Sequence, residues 1–295
     1  MSVVPSWGEQ SLKQLQTCFR HIDEHRSRLR QQHQPEALHQ LRVNLRRLRA
    51  TVQLADEPLK LPKKLSSRQV ARQGRCFGRV RDLDVLCEHL RGDLLPQLTT
   101  AEASRLRGCI ERLERNRGRA RKQAQAQLDS AELKQWLRSC RRWLKHPRLT
   151  SLGERPLLDV LPDLQLRRLG ELLLHPGWQA DDPGQDAESL HELRKVVKAT
   201  RYQADSFRDY YGLEYGVWID ELRHLQTCLG GLQDLDVLRS LLKQELKKGM
   251  PELEQLLLSF EQQQWQQFQG LKSRYSSNES RQGLRQLVVG CATPR

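Results

Sequence analysis

The sequence predicts an all-α fold made of two four-helix bundles that arose by internal duplication, each with one additional short helix. Leu, Arg, Gln, Glu and Ala dominate and β-branched residues are sparse, which is a helix-forming composition. Apolar residues recur at i, i+3, i+4 and i+7 along most of the chain, the period of an amphipathic helix, and no stretch reads as a convincing strand. Two segments also recur at one spacing. EALHQLRVNLRRLR at 36–49 returns as ESLHELRKVVKATR at 188–201, with six of fourteen positions identical. CFGRVRDLDVL at 76–86 returns as CLGGLQDLDVL at 228–238, with seven of eleven identical. Both pairs share an offset of 152 residues. The chain between the copies has therefore kept its length, as expected when helices are duplicated as a block. The bundles are expected to be related by a pseudo-twofold and to occupy 1–150 and 151–295.

In the first half, a helix is expected over 8–32 with Leu12, Leu15, Phe19 and Ile22 on its buried side. Its His21 and His25 are spaced i,i+4. A zinc-protease helix would need Glu at position 22, which is Ile, and no third ligand is evident, so they read as a surface pair. Pro35 opens the second helix in its first turn, where a missing N–H costs nothing, and the helix ends near Asp56-Glu57-Pro58. At ~100° per residue, with His39 as zero, Arg42, Arg46 and Arg49 fall at about −60°, −20° and −80°, a narrow cationic stripe. Leu38, Leu41, Leu45, Leu48 and Val52 form an adjoining apolar stripe that packs into the bundle. A third helix is expected from about Pro62, with Arg68, Arg72, Arg75 and Arg79 on one side. A fourth follows over 101–128, with Arg105, Arg112, Arg115, Arg119 and Lys122 on one side, and a short fifth over 131–144.

Pro, Gly and Ser collect in KHPRLTSLGERP at 145–156, which marks the boundary between the halves. The second half repeats the order: a helix over 157–174, a loop over 175–187, the His191 helix, the Asp-Leu-Asp helix, a helix over 251–275 and a short terminal helix after Ser276. The His191 helix keeps both stripes, His191, Arg194, Lys198 and Arg201 beside Leu190, Leu193, Val197 and Ala204. Few acidic residues lie within either basic run to neutralise it. A merely solvated helix face does not explain why the same stripe, histidine included, occurs twice.

The formal charge is +14. Residues 1–150 hold 32 Lys and Arg against 15 Asp and Glu, or +17, and residues 151–295 hold 18 against 21, or −3. Such an uneven field collects polyanions. The seven cysteines include no CxxC pair and fall mostly in helical patterns, as buried thiols of a reducing compartment do. The N-terminus lacks the charged and apolar regions of a signal peptide, and no apolar run approaches ~18 residues. The expected location is the cytoplasm, with no membrane partner.

Twin H-x-x-R-x-x-x-[RK]-x-x-R segments, each followed about 40 residues later by a G-x-x-x-D-L-D-V-L helix, resemble the CHAD family, the conserved histidine α-helical domain, over nearly the whole chain. The resemblance implies two four-helix bundles enclosing a basic cleft or pore, binding of inorganic polyphosphate and association with polyphosphate granules. It places the basic lining on His39, Arg42, Arg46 and Arg49 and on His191, Arg194, Lys198 and Arg201. Lys195 aligns with Val43 and Ala199 with Arg47, so Lys195 joins the candidates from one half only. Arg72, Arg75 and Arg79 are candidates as well. Their counterparts, together with that of Arg68, are Asp220, His224, Thr227 and Gly231, so the second half lacks a third-helix stripe. Some family members carry a triphosphate tunnel module with an ExExK motif. This chain has neither the motif nor room for the module.

These residue types suit polyphosphate, which offers a negative charge on nearly every unit but no base to stack on and no sugar to hydrogen-bond. Arg engages two phosphate oxygens at once. His39 to Arg49 spans about 15 Å of helix axis, enough to track several phosphates. Each histidine can donate a neutral hydrogen bond at pH 7, or become a cation beside a dense anion. Asp82 and Asp84, like Asp234 and Asp236, are two residues apart and point to different sides of a helix, which favours holding an arginine over clasping a catalytic metal. A binding protein without enzymatic activity, cofactor or metal is therefore expected. Nucleic-acid backbone binding is the alternative, but aromatics make up only 5% of residues and are not interleaved with the cations. A hydrolase or kinase is a third reading, and no phosphate-binding Gly-rich loop is present.

Overall fold

A computed structural model of the chain describes residues 4–31, 35–245 and 249–292. Ten α-helices are found among the described residues, and no strand. They are α1 (Trp7–Gln31), α2 (Pro35–Ala55), α3 (Ser67–His89), α4 (Thr100–Asp129), α5 (Ala131–Leu144), α6 (Leu157–Leu173), α7 (Ala187–Ser206), α8 (Leu213–Glu245), α9 (Pro251–Ser276) and α10 (Asn278–Val289). The fold is all-α, as the periodicity predicts. The expected end of the first helix at Gln32 lies outside the described residues, as does the start of the N-terminal stretch, residues 1–3. No helix among the described residues is long and apolar enough to cross a membrane.

The chain divides into two compact units, 1–96 with 106–157, and 97–105 with 158–295. In the first unit the core is built from Leu15, Phe19 and Ile22 of α1, Leu41, Leu45, Leu48 and Val52 of α2, Phe77 and Val80 of α3, and Trp136 and Leu137 of α5. Leu48 and Phe77 are fully buried, where truncation to Ala costs about 2–5 kcal/mol. Short backbone ties hold the connecting segments. Trp7 N–H donates to Arg155 C=O at 3.0 Å, Lys60 N–H to Arg148 C=O at 2.9 Å and Thr150 N–H to Pro58 C=O at 3.0 Å. The Pro- and Gly-rich stretch at 145–156 is thus pinned within the first unit. Gly153 is required there, because a Cβ would lie 2.1 Å from the Pro58 carbonyl oxygen.

One boundary differs from expectation. The third helix starts at Ser67, five residues after Pro62. Ser66 is its N-cap and accepts from Gln69 N–H, a contribution of about 1 kcal/mol. Residues 62–66 instead form a turn, with Leu65 N–H bonded to Pro62 C=O and the Trp136 indole N–H donating to Lys64 C=O at 2.8 Å.

The second unit packs Leu190, Leu193, Val197 and Ala204 of α7 against Tyr215, Trp218, Ile219, Leu222 and Leu225 of α8, with Phe268 and Tyr275 of α9 and Leu284 and Val288 of α10. Trp178, on a 3₁₀ turn (Pro176–Gln179) inside the expected loop, stacks on Tyr275 with ring centroids 4.6 Å apart and an interplanar angle of 1°. The buried Glu102 carboxylate accepts from Glu252 N–H at 3.3 Å and Leu253 N–H at 3.0 Å, and so satisfies the start of α9.

Candidate functional site

The apolar stripe of α2 fixes which side of the helix faces out. Leu41, Leu45, Leu48 and Val52 are at most 4% exposed. Of the predicted cations, Arg46 and Arg49 are exposed, and His39 and Arg42 are half-buried. Arg49 Nε donates to Ser67 Oγ at 3.1 Å. Arg42 lies 3.7 Å from the Asp82 carboxylate, with side-chain exposures of 14% for Arg42 and 70% for Asp82. His39 Nδ1 is buried without a hydrogen bond. Burial pushes the His39 pKa down, Arg81 of α3 adds to the shift, Arg42 and Arg46 contribute further, and Glu36 opposes them. The ring is therefore neutral at pH 7, and every nearby cation acts against its protonation.

The matching side of α7 is held differently. His191 Nδ1 is hydrogen-bonded to Gln233 Oε1 of α8. The 152-residue offset places Gln233 where the first half has Arg81, so one histidine faces a guanidinium and the other an amide. The Arg194 guanidinium lies over Gly230, where a Cβ would come within 3.2 Å of Nη2. Arg201 is tied three ways, with Nε donating to Gln226 Oε1 at 2.9 Å, Nη1 3.1 Å from Asp205 Oδ2, and its guanidinium carbon 4.4 Å from the Tyr202 ring centroid. Exposed Lys195 pairs with Glu192 at 2.5 Å, and Lys198 is half-buried.

Along α3, Arg68, Arg72, Arg75 and Arg79 are all exposed, and Arg72 pairs with Glu132 at 3.0 Å. At the corresponding positions of α8, Asp220 pairs with Arg223, His224 and Thr227 are exposed, and Gly231 lies against the Gln264 side chain. The aspartates of the Asp-Leu-Asp segment in α3 reach different helices. Asp82 reaches Arg42 of α2, while Asp84, only 13% exposed, lies 2.8 Å from Arg121 and 3.8 Å from Arg117 of α4. In α8, Asp234 and Asp236 are exposed. The nearby Arg239 is held by Glu261 of α9 through two contacts of 2.5 and 3.1 Å, with Asp236 adding to the field that raises its pKa. His21 and His25 are half-buried on α1. No group of three or more His, Cys, Asp or Glu side chains able to hold a metal ion occurs among the described residues.

Periodicity did not point to Arg81, Ser67, Gln226 or Gln233, which govern how the stripes are held. The available signal was the difference between the two DLDVL copies at the position of Arg81 and Gln233.

Helices bearing the same histidine and cations, one in each unit of an all-α chain, define a class of protein built on paired His-Arg helices. The sequence matches the CHAD domain family over residues 13–243. The chain belongs to that family, which is associated with polyphosphate binding. The crystal structure of the CHAD domain from the plant Ricinus communis is similar in fold, with a TM-score of 0.68 and 21% identity, covering 100% of this chain and 96% of that one. PptA from Streptomyces chartreusis is similar at a TM-score of 0.65 and 18% identity, covering 96% of this chain and 99% of that one. No curated protein matches the sequence.

Proposed function

We propose that this protein binds inorganic polyphosphate without cleaving it, through His39, Arg42, Arg46 and Arg49 of α2 and His191, Arg194, Lys195, Lys198 and Arg201 of α7, with Arg72, Arg75 and Arg79 of α3 adding to the field. The cytoplasm, including polyphosphate granules, is the setting this reading assigns to it. The observation that carries the reading is the separation of roles on α2, where the apolar stripe is buried while Arg46 and Arg49 stay exposed beside it. A row of cations at helical spacing, not consumed by packing, matches a linear polyanion.

Nucleic acid is the competing ligand, since the same cations would grip its phosphates. Against it, every Trp, Tyr and Phe is buried or half-buried, and the Tyr202 ring is taken up by Arg201. Single strands therefore meet no open stacking platform. The test is competition of labelled polyphosphate against DNA, RNA and ATP at fixed salt, with the chain length of recovered polyphosphate analysed afterwards. Polyphosphate is expected to outcompete duplex DNA of equal charge and to be recovered intact. Equal competition by DNA, or shortening of the chains, overturns the reading.

A further inference from the structure

We propose that a cavity of about 420 Å³ in the first unit, walled by Arg81 and Asp84 of α3, Arg91 and Gly92 just beyond it, and Arg117 and Arg121 of α4, is a separate anion pocket that takes the terminal phosphate group of an oligophosphate. It shares the phosphate chemistry of the function proposed above but does not depend on the α2 and α7 stripes.

The backbone builds the pocket. After His89 the helix widens into one π turn, Leu90–Leu94, a geometry frequent at functional sites. Leu90 and Leu94 are fully buried and anchor the turn, while Arg91 and Gly92 between them line the cavity. Space beyond Gly92 is open, with nothing within 4 Å of where a Cβ would stand. On the facing helix, Arg117 and Arg121 are oriented by one carboxylate, Asp84. Arg91 is oriented by Glu114 at 2.7 Å, which also lies 3.6 Å from Arg117. Arg81 has no hydrogen bond or ion pair among the described residues.

The charges fit the ligand class. Among the lining residues, four arginines face Asp84 and Glu88, leaving two net positive charges. A terminal phosphate carries a second ionisation near neutral pH and three acceptor oxygens, whereas an internal phosphate carries one charge. Several guanidinium forks around one cavity match the terminal group, because each can engage two oxygens. Asp84 positions two of them in advance and lowers the net charge of the pocket by one.

The test is calorimetric titration of the full chain with inorganic triphosphate, and with long polyphosphate whose ends are either free or capped as esters. Arg91→Gln and Arg121→Gln are each expected to weaken triphosphate binding about tenfold or more, the scale of one lost charge-assisted contact. They should weaken free-ended chains more than capped ones. Asp84→Asn is expected to tighten triphosphate binding, whereas a purely structural Asp84 would give no gain. Thermal melting monitors folding. Should Arg121→Gln fail to fold, Arg91→Gln, on a side chain 56% exposed, carries the test. Unchanged triphosphate affinity in a folded Arg91→Gln protein, or equal losses for capped and free chains, overturns the pocket. Triphosphate binding that responds to these variants while long chains fail to bind would uphold the pocket and overturn the function proposed above.

Discussion

Changing His39 and Arg42 together to alanine separates binding from folding, and the structure sets the scale of both effects. Arg42 pairs with an Asp82 that is 70% exposed, at 3.7 Å, and such a pair contributes about 0–1 kcal/mol. Asp82 is left in water when its partner is lost, and the helix is held by Leu41, Leu45, Leu48 and Val52, so the fold should survive. Each contact to a charged ligand contributes about 1.5–3 kcal/mol. Allowing for non-additivity, losing two costs about 2–4 kcal/mol, or roughly 30- to 1000-fold in affinity. The slope of log affinity against log salt should fall by about 0.7 for each phosphate contact removed, by analogy with single-stranded nucleic acids. The matched change of His191 and Arg194 should cost binding similarly and stability more, because it also removes the bond to Gln233 and the packing over Gly230. The assay is titration of end-labelled polyphosphate across salt, with circular dichroism melts of each variant. If both proteins are folded and polyphosphate affinity is unchanged, the assignment of the stripes is wrong.

Two further predictions concern protons and the third-helix arginines. His39 has a pKa below its ordinary 6.5, so at pH below about 6.5 the unfolded chain binds more protons than the folded one. Stability should therefore fall as pH drops through that range, and His39→Gln should reduce the slope, with His25 and His175, also shifted down, supplying the remainder. A bound polyanion reverses the shift, so affinity should rise below about pH 6.5 with proton uptake; calorimetry showing the same buffer dependence in wild type and His39→Gln would count against it. Reversing Arg72 and Arg75 to Glu should weaken polyphosphate binding and flatten its salt dependence more than placing Glu at His224 and Thr227. Equal losses would show that the α3 row lies off the binding path.

Much of the helical architecture was legible because packing imposes a period of 3.6 that the sequence must display. The apolar stripes of α2 and α7 fall on the predicted residues, and the segment boundary was visible as a run of Pro, Gly and Ser. Periodicity gives the face of a helix but not its neighbour. It could not show that His39 meets Arg81 while His191 meets Gln233, since each partner lies on another helix about 42 residues away. Nor could it show that the stretch at 145–156 is tied down by backbone hydrogen bonds to 5–8 and 58–60, because carbonyl and amide groups leave no trace in residue type. The third helix was placed too early because Pro62 is a plausible helix opener, whereas the Ser66 cap and the Trp136 anchor decide the start.

The different ways in which α2 and α7 hold their cations bear on rates. Arg201 is fixed by an amide, a carboxylate and a ring, and Arg194 rests over a glycine, so little rotamer freedom remains to be lost when an anion arrives. Freezing a flexible interface side chain otherwise costs about 0.5–1.5 kcal/mol. Arg46 and Arg49, and the exposed arginines of α3, lie in the half carrying +17 and act at long range through water, where attraction speeds encounter and is screened by salt. On the reading proposed here, the first half sets how fast a polyanion is captured and how sharply salt slows that capture. The pre-ordered side chains of α7 set how slowly the polyanion leaves.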